Sequence, residues 1–377
     1  MRSSENLASR TASTNTPSSM SGSGSSSIPT PVGAASTSRV LEDDFPSNVT
    51  DNAAPSITIP DSLTGLTAQL DWLNNNAVRG GDYTVRVRSN ENIGPRTLFF
   101  VGRSVTVRLQ GVDSMRIISL SSNGSLFTVN SGVTLVLEDN VTLQGRNNNN
   151  SPLITVNTGG ALIMNASSRI TGNNGGGVYV NAGTLTMQGS AAVVGNNASM
   201  GGGVRVSFGT FTMQGSSEVS NNTANNYGGV YIDNGTFIMQ GNAEILVNTA
   251  SGQGGGVGIN GGNFIMRERA TVSGNTASSQ GGGVYIQRGA FTMQNGTISG
   301  NSAIPRGNGG GVYIGDGGSL TKSGGTIYGS DDATNARNNA SNNQGHAVYV
   351  FDWNNPRWRN ATAGPSMNST SYGFLEN

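Results

Sequence analysis

A single column of residues constrains this chain more than anything else in it. A valine that follows a run of glycines recurs at Val178, Val204, Val230, Val257, Val284 and Val312, at spacings of 26, 26, 27, 27 and 28 residues. A methionine keeps step at Met187, Met213, Met239, Met266 and Met293. An asparagine does so at Asn173, Asn196, Asn222, Asn248, Asn275 and Asn301. Self-similarity at a period of 20–50 residues marks a solenoid, a propeller or an array. Chance does not hold three residue types in register over this many units.

Each unit contains short runs of period two. Val284 and Ile286 face one way and Tyr285 the other. Phe291 and Met293 oppose Thr292, and a third run ends in Ile298. Such runs, bounded by Gly and Asn, read as short half-buried strands. No helical stripe is present, and a propeller blade needs about 40 residues or more. Three strands and three turns per unit fit one coil of a parallel β-helix, with coils stacked about 4.8 Å apart. The expected fold class is therefore all-β, a parallel β-helix solenoid. Counting from Tyr83 to Val350 predicts roughly ten coils. Glycine is costly to order, yet it reaches φ > 0 without strain, so the recurring triplet predicts a corner repeated on every coil. The asparagine column reads as a structural ladder, because Asn suits turns and its amide can bond the equivalent amide of the next coil.

The ends read differently. Residues 1–55 are rich in Ser, Thr, Pro and Gly and read as a disordered linker without the apolar stretch of a secretory signal. Residues 56–80 are expected to form a capping helix, with Leu63, Leu66, Leu70 and Leu73 at helical spacing and Asp61 or Ser62 at its start. Such a lid would cover the open end of the solenoid, assigned to residues 81–350. Within it Lys322 replaces the column methionine, and the insertion SDDATNARNNASNNQ stretches the spacing from Val312 to Val348 to 36. Residues 351–377, with Trp353 and Trp358, read as a C-terminal cap and tail.

Lys and Arg together equal Asp and Glu at 21 each, with no basic stripe, so nucleic acid is not an expected partner. Cysteine is absent, which removes disulfides and thiolate metal sites. No run has the length of a membrane-spanning helix.

The pairing of GGGVYI with VSGNTA resembles the glycine-rich paired repeats of chlamydial polymorphic outer-membrane proteins. It is more similar still to β-helix repeat proteins of spirochaetes, through GGGVYI, AFTM and VSGNTA and the closing phrases at Gly324–Gly329 and His346–Val350. The likeness covers about residues 125 to 365. It implies a right-handed, pectin-lyase-like β-helix at the cell surface or secreted, with an adhesin-like role. It brings no catalytic residues, and it does not extend to a C-terminal barrel for self-translocation.

The main rival is a polysaccharide-acting enzyme, lyase or glycoside hydrolase, which needs clustered carboxylates or acidic calcium ligands. The candidates are few: Asp331, Asp332, Arg337 and His346 around the insertion, and Glu218 with Glu244 at one repeat position. Both groups read as solvated charges. No catalytic residue, metal ligand or cofactor is assigned. Paired outward threonines such as Thr184/Thr186 and Thr210/Thr212 would suit ice, but Ile238, Asn263, Ile265 and Ala290 break the array. The Asn-X-Ser/Thr triplets, Asn165, Asn197, Asn234 and Asn295 among them, read as turns. The remaining candidate is the tyrosine column. Tyr179, Tyr231, Tyr285 and Tyr313 follow the anchor valines, Arg205 and Gly258 interrupt them, and Tyr349 extends the line. An exposed row of such rings would be a platform for a glycan or for a host or surface protein. Tyrosine that merely covers a strand is the bland alternative.

Overall fold

The computed structural model describes residues 58–305, 307–330, 332, 336–341 and 343–351, together with the backbone of a strand at Arg357–Arg359. The linker expected over residues 1–55, Asp331, Trp353 and the side chain of Trp358 lie outside the described residues. Among the described residues the chain is all-β apart from one helix, and its strands wind a parallel β-solenoid. In chain order each full coil passes through four short strands, represented by Thr210–Met213, Glu218–Ser220, Thr223–Asn226 and Val230–Asp233. Each pairs in parallel with its counterpart one coil on: Phe211 with Phe237, Val219 with Ile245, Ala224 with Ala250, Val230 with Val257. Stacking therefore builds four columns. The second holds ten strands, which makes about nine full turns. Nine steps of about 4.8 Å give a solenoid about 43 Å long.

The third column departs from the three-strand expectation. It is a six-stranded sheet that begins at Asn197–Met200 and ends at Asn339–Ala340. Its strands are only 2–4 residues long, and their one regular inward residue is alanine, as at Ala250, Ala277 and Ala303. Two-residue runs with a single small apolar residue carry too little alternation to read as strands.

Inside the coils, like residues stack on like. Phe211, Phe237, Phe264 and Phe291 form a parallel stack with ring centroids 4.7, 4.8 and 4.6 Å apart. Met213, Met239, Met266 and Met293 run beside them, fully buried, and Lys322 pairs in register with Met293. The Lys322 ammonium is buried and donates to the Gly325 carbonyl at 2.8 Å, and burial pushes its pKa down to about 8.

The glycine triplet has two physical reasons. Its first residue lies in the left-handed region, with φ of 65° at Gly201 and 67° at Gly281 and Gly309. The other two lie against the neighbouring coil, where a Cβ at Gly202 would meet the Thr223 carbonyl oxygen at 2.3 Å. The asparagine ladder is present and longer than expected. Asn222 donates from both its backbone N–H and its amide to Asn248 Oδ1 at 3.0 Å, and Asn248 treats Asn275 the same way at 2.9 and 3.0 Å. The chain of contacts runs from Asn149 through Asn173, Asn196, Asn222, Asn248, Asn275 and Asn301 to Asn338. Asn338 comes from the polar insertion and continues the ladder beyond Asn301.

At the N-terminal end, helix α1 (Leu66–Asn76) lays Leu66, Leu70 and Leu73 on the core. Gly65 occupies the N-cap with no side-chain cap. The expected cap Asp61 instead pairs with Arg86 and Arg88 at 3.0 and 3.4 Å, and Leu63 precedes the helix. The buried Gln69 both accepts from the Arg86 N–H and donates to the Arg86 carbonyl, each at 3.0 Å. It thus satisfies backbone groups that the first coil would otherwise present unpaired. At the other end, the backbone of Arg357–Arg359 pairs antiparallel with Val348–Val350.

Candidate functional site

A change in arm length positions the site. From the ladder asparagine to the anchor residue the chain runs five residues in two early coils, Asn149 to Ile154 and Asn173 to Val178. From Asn196 to Val204 and from Asn222 to Val230 it runs eight, and later coils run nine or more. The added residues form the third column. Its first strand, Asn197–Met200, therefore stands as a ledge above the shorter coils.

The longer arms also settle the tyrosines. They face away from the main core, as the period-two pattern requires, but they are not an exposed row. Tyr231, Tyr285, Tyr313 and Tyr349 are only 5–8% exposed and form a second buried cluster with Tyr227. The arms lie directly against them: a Cβ at Gly281 would sit 2.7 Å from the Tyr285 Cβ, and one at Gly309 2.8 Å from the Tyr313 Cβ. Burial pushes the phenols of Tyr227, Tyr285, Tyr313 and Tyr349 above the ordinary range. The exposed platform expected at Tyr231, Tyr285 and Tyr313 is thus corrected to a covered stack, because that expectation ignored the arm running over them.

The two interruptions of the column are filled. Tyr285 stacks on Tyr313, and Tyr313 on Tyr349, at 5.2 Å each. At Gly258 the missing ring is supplied by Tyr227, which stacks on Tyr231 at 4.5 Å and reaches Tyr285 at 6.1 Å. Tyr227 replaces the first glycine of the triplet and keeps its φ of 61°. A Cβ on Gly258 would fall 1.9 Å from the Tyr227 ring, so the two substitutions imply each other. At the second interruption the Arg205 guanidinium lies between two rings, 5.2 Å from the centroid of Tyr179 and 5.7 Å from that of Tyr231. Sequence reasoning noted Arg205 only as a break in the column and passed over Tyr227. The signal was there in the broken triplet Tyr227-Gly228-Gly229 next to a gap in the tyrosine column.

Tyr179 alone of the expected binding tyrosines remains partly exposed. It lies below the ledge, where the short arm does not cover it. Its ring pairs with Arg205 on one side, and among the described residues no second ring stacks on it. In front of it opens a groove of about 530 Å3, lined by Tyr179 and Arg205 and by the side chains of Asn150, Asn174, Asn197 and Asn225. The Asn197 amide is spoken for, donating to Asn174 Oδ1 at 2.5 Å and accepting from Thr223 at 2.9 Å. Asn150 and Asn225 make no side-chain hydrogen bond within the described residues. Arg205 makes none either, its Nε being buried without a partner, while its Nη2 forms an ion pair with Asp233 at 3.6 Å. Asp233 is itself shared with Ser207 and Asn234.

The other charged candidates do not assemble comparably. Glu218 and Glu244 stack in register on the second column, as their repeat position predicts, at the surface. Arg337 and His346 line one pocket near the insertion. His346 is 8% exposed there, accepting from the Ala340 N–H at 3.2 Å and contacting Asn343 Oδ1 at 2.8 Å, so its ring braces the turn. Among the described residues no group of three or more His, Asp or Glu side chains could hold a metal ion. No described helix is long and apolar enough to cross a membrane. Compared with known proteins, the chain matches no family model, no curated protein and no solved structure.

Proposed function

We propose that this protein is a non-catalytic β-solenoid that works outside the cell, at the surface or secreted, as an adhesin-like binding module. One observation carries the reading. The groove beneath the ledge is lined by a half-open tyrosine ring, asparagine amides and a guanidinium that is ion-paired with Asp233 but makes no hydrogen bond to the described residues. Those groups recognise hydroxyls, ring faces and anions. Among the described residues no His, Asp, Glu or Lys lines the groove, and those side chains carry most general acid–base catalysis. The rigid stack behind the groove fixes its position, since Tyr179 and Arg205 are held by a column of like-spaced neighbours rather than by a mobile loop. The Ser/Thr/Pro-rich N-terminal segment and the resemblance to surface β-helix repeats support an external location. Two measurements test the proposal together. Protease added to intact cells should degrade the protein while a cytoplasmic marker survives. The purified chain should bind a glycan or protein of the surrounding surface without altering it. Protection from protease in intact cells, or turnover of a bound polysaccharide, would overturn it.

A further inference from the structure

Resting on that reading, we propose that the ledge is a strand-addition site. Its partner is an extended polypeptide segment of small residues and glycine, which pairs in parallel with Asn197–Met200 and lies over Tyr179. The edge is open: Asn197–Met200 pairs with Thr223–Asn226, and among the described residues no strand lies on its other side. At the N-terminal end helix α1 covers the first coil, with Gln69 bonded to its backbone; the ledge stands midway along the solenoid without such a lid. An uncovered sheet edge is a template for a further strand. The repeat shows which groups are left over. The residue after the column alanine donates its N–H to the alanine carbonyl of the coil beneath: Ser251 to Ala224 and Ser278 to Ala250 at 3.0 Å, Ile304 to Ala277 at 2.9 Å, Ser341 to Ala303 at 3.1 Å. The following residue does likewise, Gly252 to Asn225 at 2.7 Å and Ser279 to Gly252 at 3.0 Å. In the ledge these positions are Ser199 and Met200. The short arm beneath meets the ledge at Asn197 and again at Gly202, through the N–H groups of Gly176 and Gly177 at 2.8 and 3.1 Å. It supplies no backbone partner to the residues between, so by the register of the later arms two adjacent N–H groups face the groove.

What fills this place on later coils defines the partner. There it is an arm, such as residues 248–256, whose main-chain carbonyls receive those N–H groups. Each arm is made of small residues because it is sandwiched: Ala250 and Ala277 are fully buried between neighbours, whereas Ala198 at the open edge stays partly exposed. Each arm also passes its own tyrosine on a glycine, since a Cβ at Gly281 would lie 2.7 Å from the Tyr285 Cβ and one at Gly345 2.5 Å from the Tyr349 Cβ. Tyr179 is the ring whose arm is too short to cover it, and it lines the same groove as Ser199 and Met200. One extended segment fills both vacancies, its carbonyls on the ledge and a glycine over the ring. A saccharide has no row of evenly spaced carbonyls to offer the two N–H groups.

The fold supplies the probe. A synthetic peptide with the arm sequence of residues 275–283, NTASSQGGG, carries a dye and is followed by fluorescence anisotropy against the native chain, Ser199→Ala and Ser199→Pro. Proline removes the N–H at a position where an edge strand tolerates it, and alanine keeps it; thermal melts show that each variant is folded. The native chain and Ser199→Ala should bind alike, and Ser199→Pro about ten-fold more weakly. A peptide with leucine in place of its first glycine should also bind about ten-fold more weakly than the parent. Hydrogen exchange on the native chain, read by NMR, tests the edge independently of any variant. The Ser199 and Met200 amides should exchange fast in the free chain and slowly with peptide bound, while Ser251 and Gly252 are protected throughout. No saturable peptide binding, equal binding by folded Ser199→Pro, or amides of Ser199 and Met200 that peptide leaves unprotected would each overturn the inference. A glycan bound equally by the native chain and Ser199→Pro, with no peptide binding, would remove strand addition and leave the binding-module reading standing.

Discussion

Tyr227 and Gly258 form an exchange between two coils, and exchanging them back tests the tyrosine stack. Tyr227→Gly empties a slot holding a ring that is 6% exposed and stacked at 4.5 Å on Tyr231. Large-to-small aromatic changes at buried sites cost about 3–5 kcal/mol. Releasing a non-glycine residue from φ 61° returns about 1 kcal/mol, leaving a net loss of about 2–4 kcal/mol. Gly258→Tyr alone drives a Cβ to 1.9 Å from the Tyr227 ring, and overpacking of this kind costs about 1–3 kcal/mol or more. The double variant returns both coils to the pattern of their neighbours. It should be as stable as the native chain, or about 1 kcal/mol more stable once the backbone strain is gone. The coupling energy should then be at least about 3 kcal/mol, the upper end for residues in contact. Urea unfolding followed by far-UV circular dichroism reads this as midpoint shifts at constant slope. If the double variant's shift is the sum of the two single shifts, Tyr227 does not fill the vacancy at Gly258 and the continuous stack is wrong.

Two further outcomes are expected. Asn248→Ala strips the acceptor from the Asn222 backbone N–H and amide and the donor from the Val219 carbonyl. Thermal unfolding should show a loss of about 1–3 kcal/mol or more, and a change below about 0.5 kcal/mol, typical of the surface, would contradict the buried ladder. Lys322 has a folded pKa of about 8 against 10.5 for the free side chain. The unfolded chain therefore binds the extra proton between those values, and stability should rise as pH climbs from 8 toward 10.5. Lys322→Met, which continues the methionine column, should raise stability at pH 7 by about 2–3 kcal/mol and abolish that rise. A pH profile unchanged by the substitution would show that Lys322 is not desolvated.

The solenoid was readable because each coil repeats the last. Three residue types in register define a period, the period excludes helical arrays and propellers, and like residues must then stack on like. The inward faces of Phe237 and Met239, the corner glycines and the asparagine column all follow from that register, since parallel strands one coil apart place equivalent residues side by side. What lies over a face is a different matter. Alternation shows that Tyr231, Tyr285 and Tyr313 point away from the core, but not that an arm three or more residues longer than in the early coils folds back across them. That covering depends on contacts between segments of different coils. So does the placement of Tyr227 in the vacancy beside Gly258, and of Arg205 between two rings. The exposed portion of the tyrosine column was therefore decided by tertiary structure alone. It lies at Tyr179, where the arms change length, because burial is settled by which neighbouring segment reaches far enough to displace water.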